Sequence, residues 1–130
     1  MANNLTDIIL NDPDISYMGN NPKSPFGEEG CQCADGWAEI ILTALKDVAK
    51  VDSNKVMRIG QIKEKFGGLR LYMDYPHDGG DMLYDVVNKI TSQAEHDSYS
   101  ICENCGSKDN VTQSTKGWIR TLCKICRKVE

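Results

Sequence analysis

The segment VMRIGQIKEKFGGLRLYMDY, residues 56–75, decides the fold of this 130-residue chain. In its second half every other residue from Leu69 to Met73 is apolar, and the residues between them are charged or polar. Such alternation is typical of a β-strand with one face buried. The glycine pair Gly67-Gly68 comes just before it and predicts a tight turn. The segment therefore predicts a β-hairpin.

The first strand of this hairpin alternates less regularly. Met57 and Ile59 share one parity, whereas Ile62 and Phe66 share the other. A β-bulge inserts one extra residue and moves every later side chain to the opposite face. A bulge at Gly60 would therefore bring both apolar pairs onto one face of the hairpin.

Amphipathic helices are predicted on both sides of the hairpin. Residues 36–50 and residues 81–97 carry apolar residues at helical spacing, and Asp35 is the expected N-cap of the first helix. The apolar positions are Trp37, Ile40, Ile41, Ala44, Leu45 and Val48 in the first helix, and Met82, Leu83, Val86, Val87, Ile90 and Ala94 in the second. With both helices on one face of the hairpin, the expected core contains Trp37, Leu45, Val48, Leu71, Val86 and Ile90.

Two C-x-x-C pairs lie near the end of the chain, Cys102 with Cys105 and Cys123 with Cys126, separated by seventeen residues. This spacing is typical of four-cysteine zinc sites, because two intervening residues let a tight turn direct both sulfurs toward one metal. Gly106 permits the positive φ that such a turn often uses. Four thiolates complete a tetrahedron and leave no position for substrate, so the expected zinc is structural.

The order of these elements predicts an α+β protein. A helix–β-hairpin–helix domain is followed by a C-terminal module of the zinc-ribbon or treble-clef type. The expected division places an irregular N-terminal arm at residues 1–30, the α-β-β-α domain at 31–100 and the zinc-binding module at 101–130. LTDIIL, residues 5–10, is compatible with one short helical or extended segment, but Asn, Pro and Gly dominate the arm from residue 11 to residue 30. Its side chains expected to pack are Ile8, Ile9, Tyr17 and Phe26.

Two further cysteines, Cys31 and Cys33, precede the first helix. Together with His77 and His96 they would offer ligands for a second metal ion. A C-x-C pair rarely chelates zinc without other ligands, and neither histidine has a ligand partner at i+4. Buried or partly buried thiols are therefore the favoured interpretation.

The charge and hydropathy of the chain bear on its location and partners. No stretch reaches the ~18 apolar residues of a membrane span, and the N-terminus has no basic region, so a cytoplasmic chain is expected. Residues 1–100 hold nine Lys and Arg against sixteen Asp and Glu, and residues 101–130 hold six against three. Four thiolates and one zinc ion would add a net charge of −2 to the tail, which leaves about +1.

Positive charge is instead concentrated on the predicted hairpin, where residues 55–70 hold five basic residues against Glu64 alone. With a bulge at Gly60, the side chains expected on the solvent face are Arg58, Lys63, Lys65, Arg70 and Tyr72. A compact positive patch suits an anion, such as a nucleotide, a phosphorylated ligand or an acidic protein surface. The alternative is a solvated strand whose lysines protect an exposed edge from aggregation.

Three motifs stand out along the chain. They are C-x-DGW at residues 33–37, IKEKFGGLRLY at 62–72, and ENCG at 103–106 followed by GWIRTLCKIC at 117–126. Together they resemble a group of small uncharacterised proteins that are common in bacteriophage and prophage genomes. The resemblance covers roughly residues 31–126 and implies a zinc-knuckle protein of phage or bacterial origin, but no activity. The tail departs from treble-clef nucleases of the HNH type, since residues 107–130 contain no histidine.

Two classes of function fit these observations. Motifs for serine or zinc hydrolases and for nucleotide-binding loops are absent, so catalysis is not expected. The first class is a non-enzymatic, phage-encoded zinc protein that binds and inhibits or redirects a host protein in the bacterial cytoplasm. The second is a nucleic-acid or small-nucleotide binding protein that uses the basic hairpin or the zinc tail. Neither class involves a membrane.

Overall fold

The computed structural model describes residues 4–75, 81–114 and 117–128. The helices and strands are α1 Asn4–Asn11, α2 Pro25–Glu29, α3 Ala38–Val51, β1 Arg58–Lys65, β2 Gly68–Asp74, α4 Asp81–Ser98, β3 Thr112–Gln113, β4 Thr121–Leu122 and α5 Lys124–Lys128. This order confirms a mixed helix-and-sheet chain in which a two-stranded hairpin lies between two long helices. Among the described residues, no helix is long and apolar enough to cross a bilayer.

Strands β1 and β2 pair antiparallel, and their register changes between Ile59 and Gln61. The predicted bulge at Gly60 is therefore confirmed. Past the bulge, Ile62 lies opposite Leu71, and both side chains are buried. The extra residue lets the apolar side chains before and after Gly60 point to the same side of the hairpin, although they stand at odd-numbered positions before it and at an even-numbered position after it.

The turn of this hairpin lies one residue earlier than the glycine pair predicts. Lys65 pairs with Gly68, so the two turn residues are Phe66 and Gly67, with φ of 56° and 83°. Two consecutive positive φ angles are typical of a type I′ turn, whose backbone twist matches that of the two antiparallel strands. Phe66 was expected among the inward-facing residues, but its side chain is 65% exposed because it stands in the turn.

Both outer edges of the two-stranded sheet are covered. On the β1 side, the N–H of Gln32 donates to the carbonyl of Ile62, and the carbonyl of Gln32 accepts a hydrogen bond from the backbone N–H of Glu64. On the β2 side, the N–H of Leu69 donates to Ser98 Oγ and that of Leu71 to a carboxylate oxygen of Glu95. Side chains of α4 thus replace a third strand, and neither edge relies on lysine for protection.

Helix α3 begins later than predicted. Residues Asp35–Trp37 form a 3₁₀ turn, and the α-helix starts at Ala38. Asp35 was expected to cap this helix, but it lies inside the turn, and the N-cap position of α3 is occupied by Trp37. Trp37, Leu45 and Val48 are fully buried, in agreement with the predicted core.

Helix α4 presents a different face to the core than its hydropathy predicts. Val87 is fully buried, whereas Val86 is 39% exposed and Met82 is 83% exposed. The prediction that Val86 belongs to the core is therefore wrong, and Ile90 is only partly buried. The polar residues Thr91 and Ser98 occupy the buried face, since α4 must satisfy the edge of β2.

The N-terminal segment is helical where an irregular arm was expected. Its three short helical elements are α1, a 3₁₀ turn at Ser16–Gly19 and α2. Ser24 caps α2 by accepting a hydrogen bond from the N–H of Gly27, and Pro25 occupies the first turn. The segment adds Leu5, Ile9, Ile15, Met18 and Phe26 to the main core. Ile8 was expected to pack, yet it is 46% exposed on the outer face of α1.

Candidate functional site

The C-terminal cysteines are held by three small elements. The Cys102–Cys105 pair forms a tight turn in which the N–H of Gly106 donates to the carbonyl of Cys102, and Gly106 has a φ of 83°. Strands β3 and β4 then pair and return the chain to Cys123, which precedes α5. Cys126 lies one turn further, inside α5. We refer to residues 102–128 as the cysteine module.

The four sulfurs of Cys102, Cys105, Cys123 and Cys126 lie within 4.8 Å of one another. The Sγ atoms of Cys105 and Cys123 are 3.6 Å apart, too far for a disulfide bond of about 2.05 Å. A tetrahedral metal with metal–sulfur bonds of about 2.3 Å separates its sulfurs by about 3.8 Å. The predicted ligands are thus brought together at a spacing that could hold a metal ion.

Hydrogen bonds around the sulfurs favour the thiolate form of Cys102, whereas side-chain hydrogen bonds to the other three cysteines raise the pKa of the Cys105 thiol. Asn104 Nδ2 donates to Cys126 Sγ at 3.3 Å, and the N–H of Cys126 faces Cys123 Sγ at 3.5 Å. Burial raises the pKa of the Cys102 thiol, but hydrogen bonds from backbone N–H groups outweigh burial and lower that pKa to about 6. Thiolates are the form that binds metals, and such outer contacts orient them.

The cysteine module is fixed to the rest of the chain at the DGW motif. The N–H of Gly36 donates to the carbonyl of Glu103 at 2.7 Å, and the indole N–H of Trp37 donates at 2.9 Å to the carbonyl of Ile101, the residue just before the module. A Cβ atom on Gly36 would lie 2.1 Å from the carbonyl oxygen of Cys102. Only glycine allows this approach, which is a role that the sequence analysis did not assign to Gly36.

A second contact joins the module to the hairpin turn. Thr121 Oγ1 donates to the carbonyl of Gly67, and Ile119 packs against Gly67 on the same side. A Cβ atom on Gly68 would lie 2.3 Å from the hydroxyl oxygen of Tyr99. The two glycines of the FGG string are therefore explained by the close approach of the C-terminal segments.

The five residues predicted for the solvent face of the hairpin do share one face, and we refer to them as the basic face. Lys63 pairs with Arg70, and both side chains lie on the side of the hairpin opposite to that of the buried Ile62. The set consists of Arg58, Lys63, Lys65, Arg70 and Tyr72. Within the part of the chain that the structure describes, none of its four cations forms an ion pair.

Local contacts hold the two arginines of the basic face in place. Arg58 Nη1 donates to the carbonyls of Lys55 and Met57, both at 2.9 Å. Arg70 Nη1 donates to the carbonyl of Leu69 at 3.1 Å and lies 3.4 Å from the hydroxyl of Tyr99. The hydrogen bond with Tyr99 raises the pKa of the Arg70 guanidinium above its usual value, so this side chain stays charged.

Cys31 and Cys33 lie apart from the metal-ligand cluster. Cys31 is buried and Cys33 is partly buried, as the favoured interpretation required. Burial raises the pKa of the Cys31 thiol to about 11 and also raises that of Cys33. Neither joins His96 in a group of metal ligands among the described residues. The other histidine proposed for a second site, His77, lies outside the described residues.

Comparisons with protein-family models, curated proteins and solved structures find no match to this chain. Function is therefore inferred from the cysteine cluster and the basic face. Sequence reasoning missed two aromatic residues beside that face, Phe66 and Tyr99. The available signal was Phe66 itself, because an aromatic residue next to Gly67 occupies a turn position that usually carries Asn or Gly.

Proposed function

We propose that this chain is a non-enzymatic binding protein with a structural zinc ion, and that its basic face binds an anionic partner. The observation that carries the proposal is the concentration of charge. Residues 55–70 have a net charge of +4 in a chain whose total is −4. Because opposite charges attract over a Debye length of about 8–10 Å, such a patch recruits anions selectively.

Zinc is the metal we infer for the cysteine cluster. Four clustered thiolates suit zinc or an iron–sulfur cluster. Sulfurs within 4.8 Å of one another leave room for one ion and not for a cluster of several iron atoms, which favours zinc. The succession of a cysteine turn, a short hairpin and a helix that carries the last cysteine corresponds to a treble-clef-like module. Four protein ligands leave no open coordination position, so the ion would stabilise the fold and take no part in chemistry.

The basic face is favoured over the basic tail as the binding surface. In the tail, Arg120 lies 3.8 Å from the buried carboxylate of Glu103, and Arg127 donates to the carbonyls of Thr112 and Arg120. These arginines serve the internal structure of the module. The two arginines of the basic face also donate to carbonyls, but no cation of this face forms an ion pair among the described residues. The sheet edges are covered by other segments and do not need these cations for protection.

The resemblance to phage and prophage proteins suggests where such a partner would be met. A phage-encoded chain would act in the cytoplasm of its bacterial host and would bind, inhibit or redirect a host factor there. An acidic host protein and a nucleic acid both present the negative charge that the basic face requires.

A charge-reversal pair tests the basic face directly. Lys65→Glu with Arg70→Glu should abolish retention on immobilised heparin, a general polyanion, whereas the parent protein should be retained and released as salt rises. The matched control is Lys23→Glu with Lys89→Glu, two exposed lysines elsewhere in the chain. It makes the same change in net charge and should leave retention nearly intact.

Stability should change by no more than about 0.5 kcal/mol in the control variant, whose side chains are exposed. It should fall further in the Lys65/Arg70 variant, because Arg70 is partly buried and loses hydrogen bonds that contribute about 0.5–1.5 kcal/mol each. Equal retention of the Lys65/Arg70 variant and the parent would contradict the proposal. It would move the binding surface to the tail around Trp118 and Arg120.

A further inference from the structure

Exposed aromatic side chains cluster around the basic face. Of the nine aromatic residues in the chain, five are exposed. Tyr72 belongs to the basic face, Phe66 stands in the hairpin turn, and Tyr99 and Trp118 belong to segments that contact the turn glycines. Their exposed fractions are 65% for Phe66, 44% for Tyr72, 37% for Tyr99 and 78% for Trp118. The fifth, Tyr84, lies against Tyr75 just beyond the open end of the hairpin. A soluble surface seldom displays so many large rings in one place without a partner.

Phe66 is held in a conformation that bulky residues avoid. Its φ of 56° is in the left-handed region, where Asn or Gly is usual at this position of a hairpin turn. Its ring is not inserted into the core but projects into solvent, with Lys65 Nζ 5.6 Å from the ring centroid. The backbone thus carries strain to display an aromatic ring, and strain of this kind is concentrated at functional sites.

Tyr99 and Trp118 are brought to the same end of the hairpin by packing against its glycines. Tyr99 contacts Gly68, and its hydroxyl lies 3.4 Å from Arg70 Nη1. Ile119 contacts Gly67, so the backbone of the neighbouring Trp118 lies one residue from this contact. The carbonyl of Trp118 accepts a hydrogen bond from Ser114 Oγ, so the backbone at this position is anchored.

We propose that the partner of the basic face is single-stranded nucleic acid. This inference rests on the proposed function and names its ligand. The binding surface consists of Lys65 and Arg70 with the rings of Phe66, Tyr99 and Trp118, and we refer to it as the tip surface. Lysine and arginine neutralise phosphates, while exposed rings stack on unpaired bases.

The combination of rings and cations is what separates this ligand from the alternatives. A duplex keeps its bases stacked on one another, so it would use the cations and leave the rings without partners. An acidic protein surface would pair with the cations but offers no series of flat rings to stack on. A single strand presents phosphates to the cations and unpaired bases to the rings at the same time.

Fluorescence anisotropy with labelled oligonucleotides tests this inference. The parent protein should bind a 20-nucleotide deoxythymidine strand at least tenfold more tightly than a 20-base-pair duplex at the same salt concentration. Phe66→Ala with Trp118→Ala should weaken binding of the single strand at least tenfold and leave the weak duplex binding unchanged. Tyr84→Ala, an exposed aromatic residue away from the tip surface, is the matched control and should bind as the parent does.

The two tryptophans provide a second readout. Trp37 is fully buried and Trp118 is 78% exposed, so stacking on bases should quench only Trp118. Addition of the single strand should therefore reduce the emission of the parent protein, and Trp118→Phe should lose this quenching while it keeps most of the affinity. Quenching that persists in Trp118→Phe would overturn the assignment of Trp118.

Phe66→Asn separates binding from folding. Asparagine tolerates the left-handed conformation, so this variant should melt at a higher temperature than the parent and still bind the single strand several-fold more weakly. Phe66→Trp should restore binding. A Phe66→Asn variant with unchanged affinity would show that the ring takes no part in binding.

The remaining outcomes distinguish this inference from the proposed function. Equal affinity for single strand and duplex, lost in Lys65→Glu with Arg70→Glu but not in the aromatic variants, would overturn the single-strand inference and keep the basic face as an anion site. Binding to polyglutamate but to neither oligonucleotide would identify an acidic protein partner. If Lys65→Glu with Arg70→Glu binds heparin and oligonucleotides as the parent does, both proposals fail.

Discussion

The two parts of this molecule are held together by different means. Residues 4–101, which we call the body, share one large apolar cluster that extends from Leu5 to Ile101. In the cysteine module the buried cluster consists of Leu122 with Cys102 and Cys123, bordered by Val111 and Cys126. A segment this short cannot bury enough apolar surface to order itself, so its structure depends on a cross-link. The body can rely on hydrophobic burial, whereas the module would rely on the metal ion that we propose for its four cysteines.

The body and the module contact each other mainly through hydrogen bonds and close approach of the backbone and, among the described residues, not through a shared apolar cluster. The hydrogen bonds and close glycine contacts lie at Gly36 on one side and at Gly67 on the other. Side chains of Glu103, Gln113 and Thr121 bond to backbone groups of the body. Close backbone approach gives hydrogen bonds but little room for change, because a single added carbon atom would clash. We therefore expect three different effects of substitution. A change in the module should affect its order, a change in the body should affect the stability of the whole chain, and a change at the contact should separate the two parts.

Loss of a metal ligand should have the largest effect, and it should be confined to the module. Purified protein should contain about one zinc ion per chain by elemental analysis, and Cys105→Ser should contain much less. Because structural zinc contributes on the order of 10–16 kcal/mol in small peptides, residues 102–128 should lose their protection from hydrogen exchange. The helices of the body should remain protected.

Cys33→Ser is the control for this experiment. Its sulfur lies outside the metal-ligand cluster, so this variant should keep its zinc and its ordered module. A metal-free protein with a protected module would refute the dependence of the module on its ion.

A cavity in the body should have the next largest effect, and it should be spread over the whole chain. Leu71 is 2% exposed and lies opposite Ile62 in the hairpin, so Leu71→Ala should reduce the free energy of unfolding by about 2–5 kcal/mol. Urea denaturation measures the difference. The control Val86→Ala should cost no more than about 0.5 kcal/mol, because Val86 is on the outer side of α4. A cost below that value for Leu71→Ala would mean that the faces of the strand are reversed.

The smallest of the three effects is expected at the contact between the two parts. Gly36→Ala would place a carbon atom 2.1 Å from the carbonyl oxygen of Cys102. Overpacking of this kind typically costs about 1–3 kcal/mol, and here it should break the hydrogen bond from Gly36 to Glu103. Faster hydrogen exchange at the amide of residue 36, with zinc retained, would be the signature of separation without unfolding.

Gly117→Asn serves as the comparison for this substitution. A Cβ atom at Gly117 meets nothing within 4 Å, and asparagine tolerates its φ of 65°. This variant should therefore leave both stability and exchange at residue 36 nearly unchanged. Equal behaviour of the two variants would show that steric approach at Gly36 does not fix the module.

Local spacing in the sequence was sufficient to identify several features. The two C-x-x-C pairs identified the sulfurs that cluster, and the alternation after Leu69 identified the buried face of β2. The change of parity at Gly60 identified the bulge. Each of these depends on residues a few positions apart, whose relative directions are fixed by the geometry of one strand or one turn.

Contacts between distant segments decided the rest. Hydropathy could not choose between Val86 and Val87, because the rotation of α4 is set by Ser98 and Glu95, whose side chains bond to the edge of β2. The turn at Phe66 follows from the pairing register, and the proximity of Tyr99 and Trp118 to it follows from packing against Gly67 and Gly68. The sequence by itself determined which residues form strands and which sulfurs cluster. Only the tertiary structure decided which segments come together at the hairpin turn, because their proximity depends on how distant parts of the chain pack.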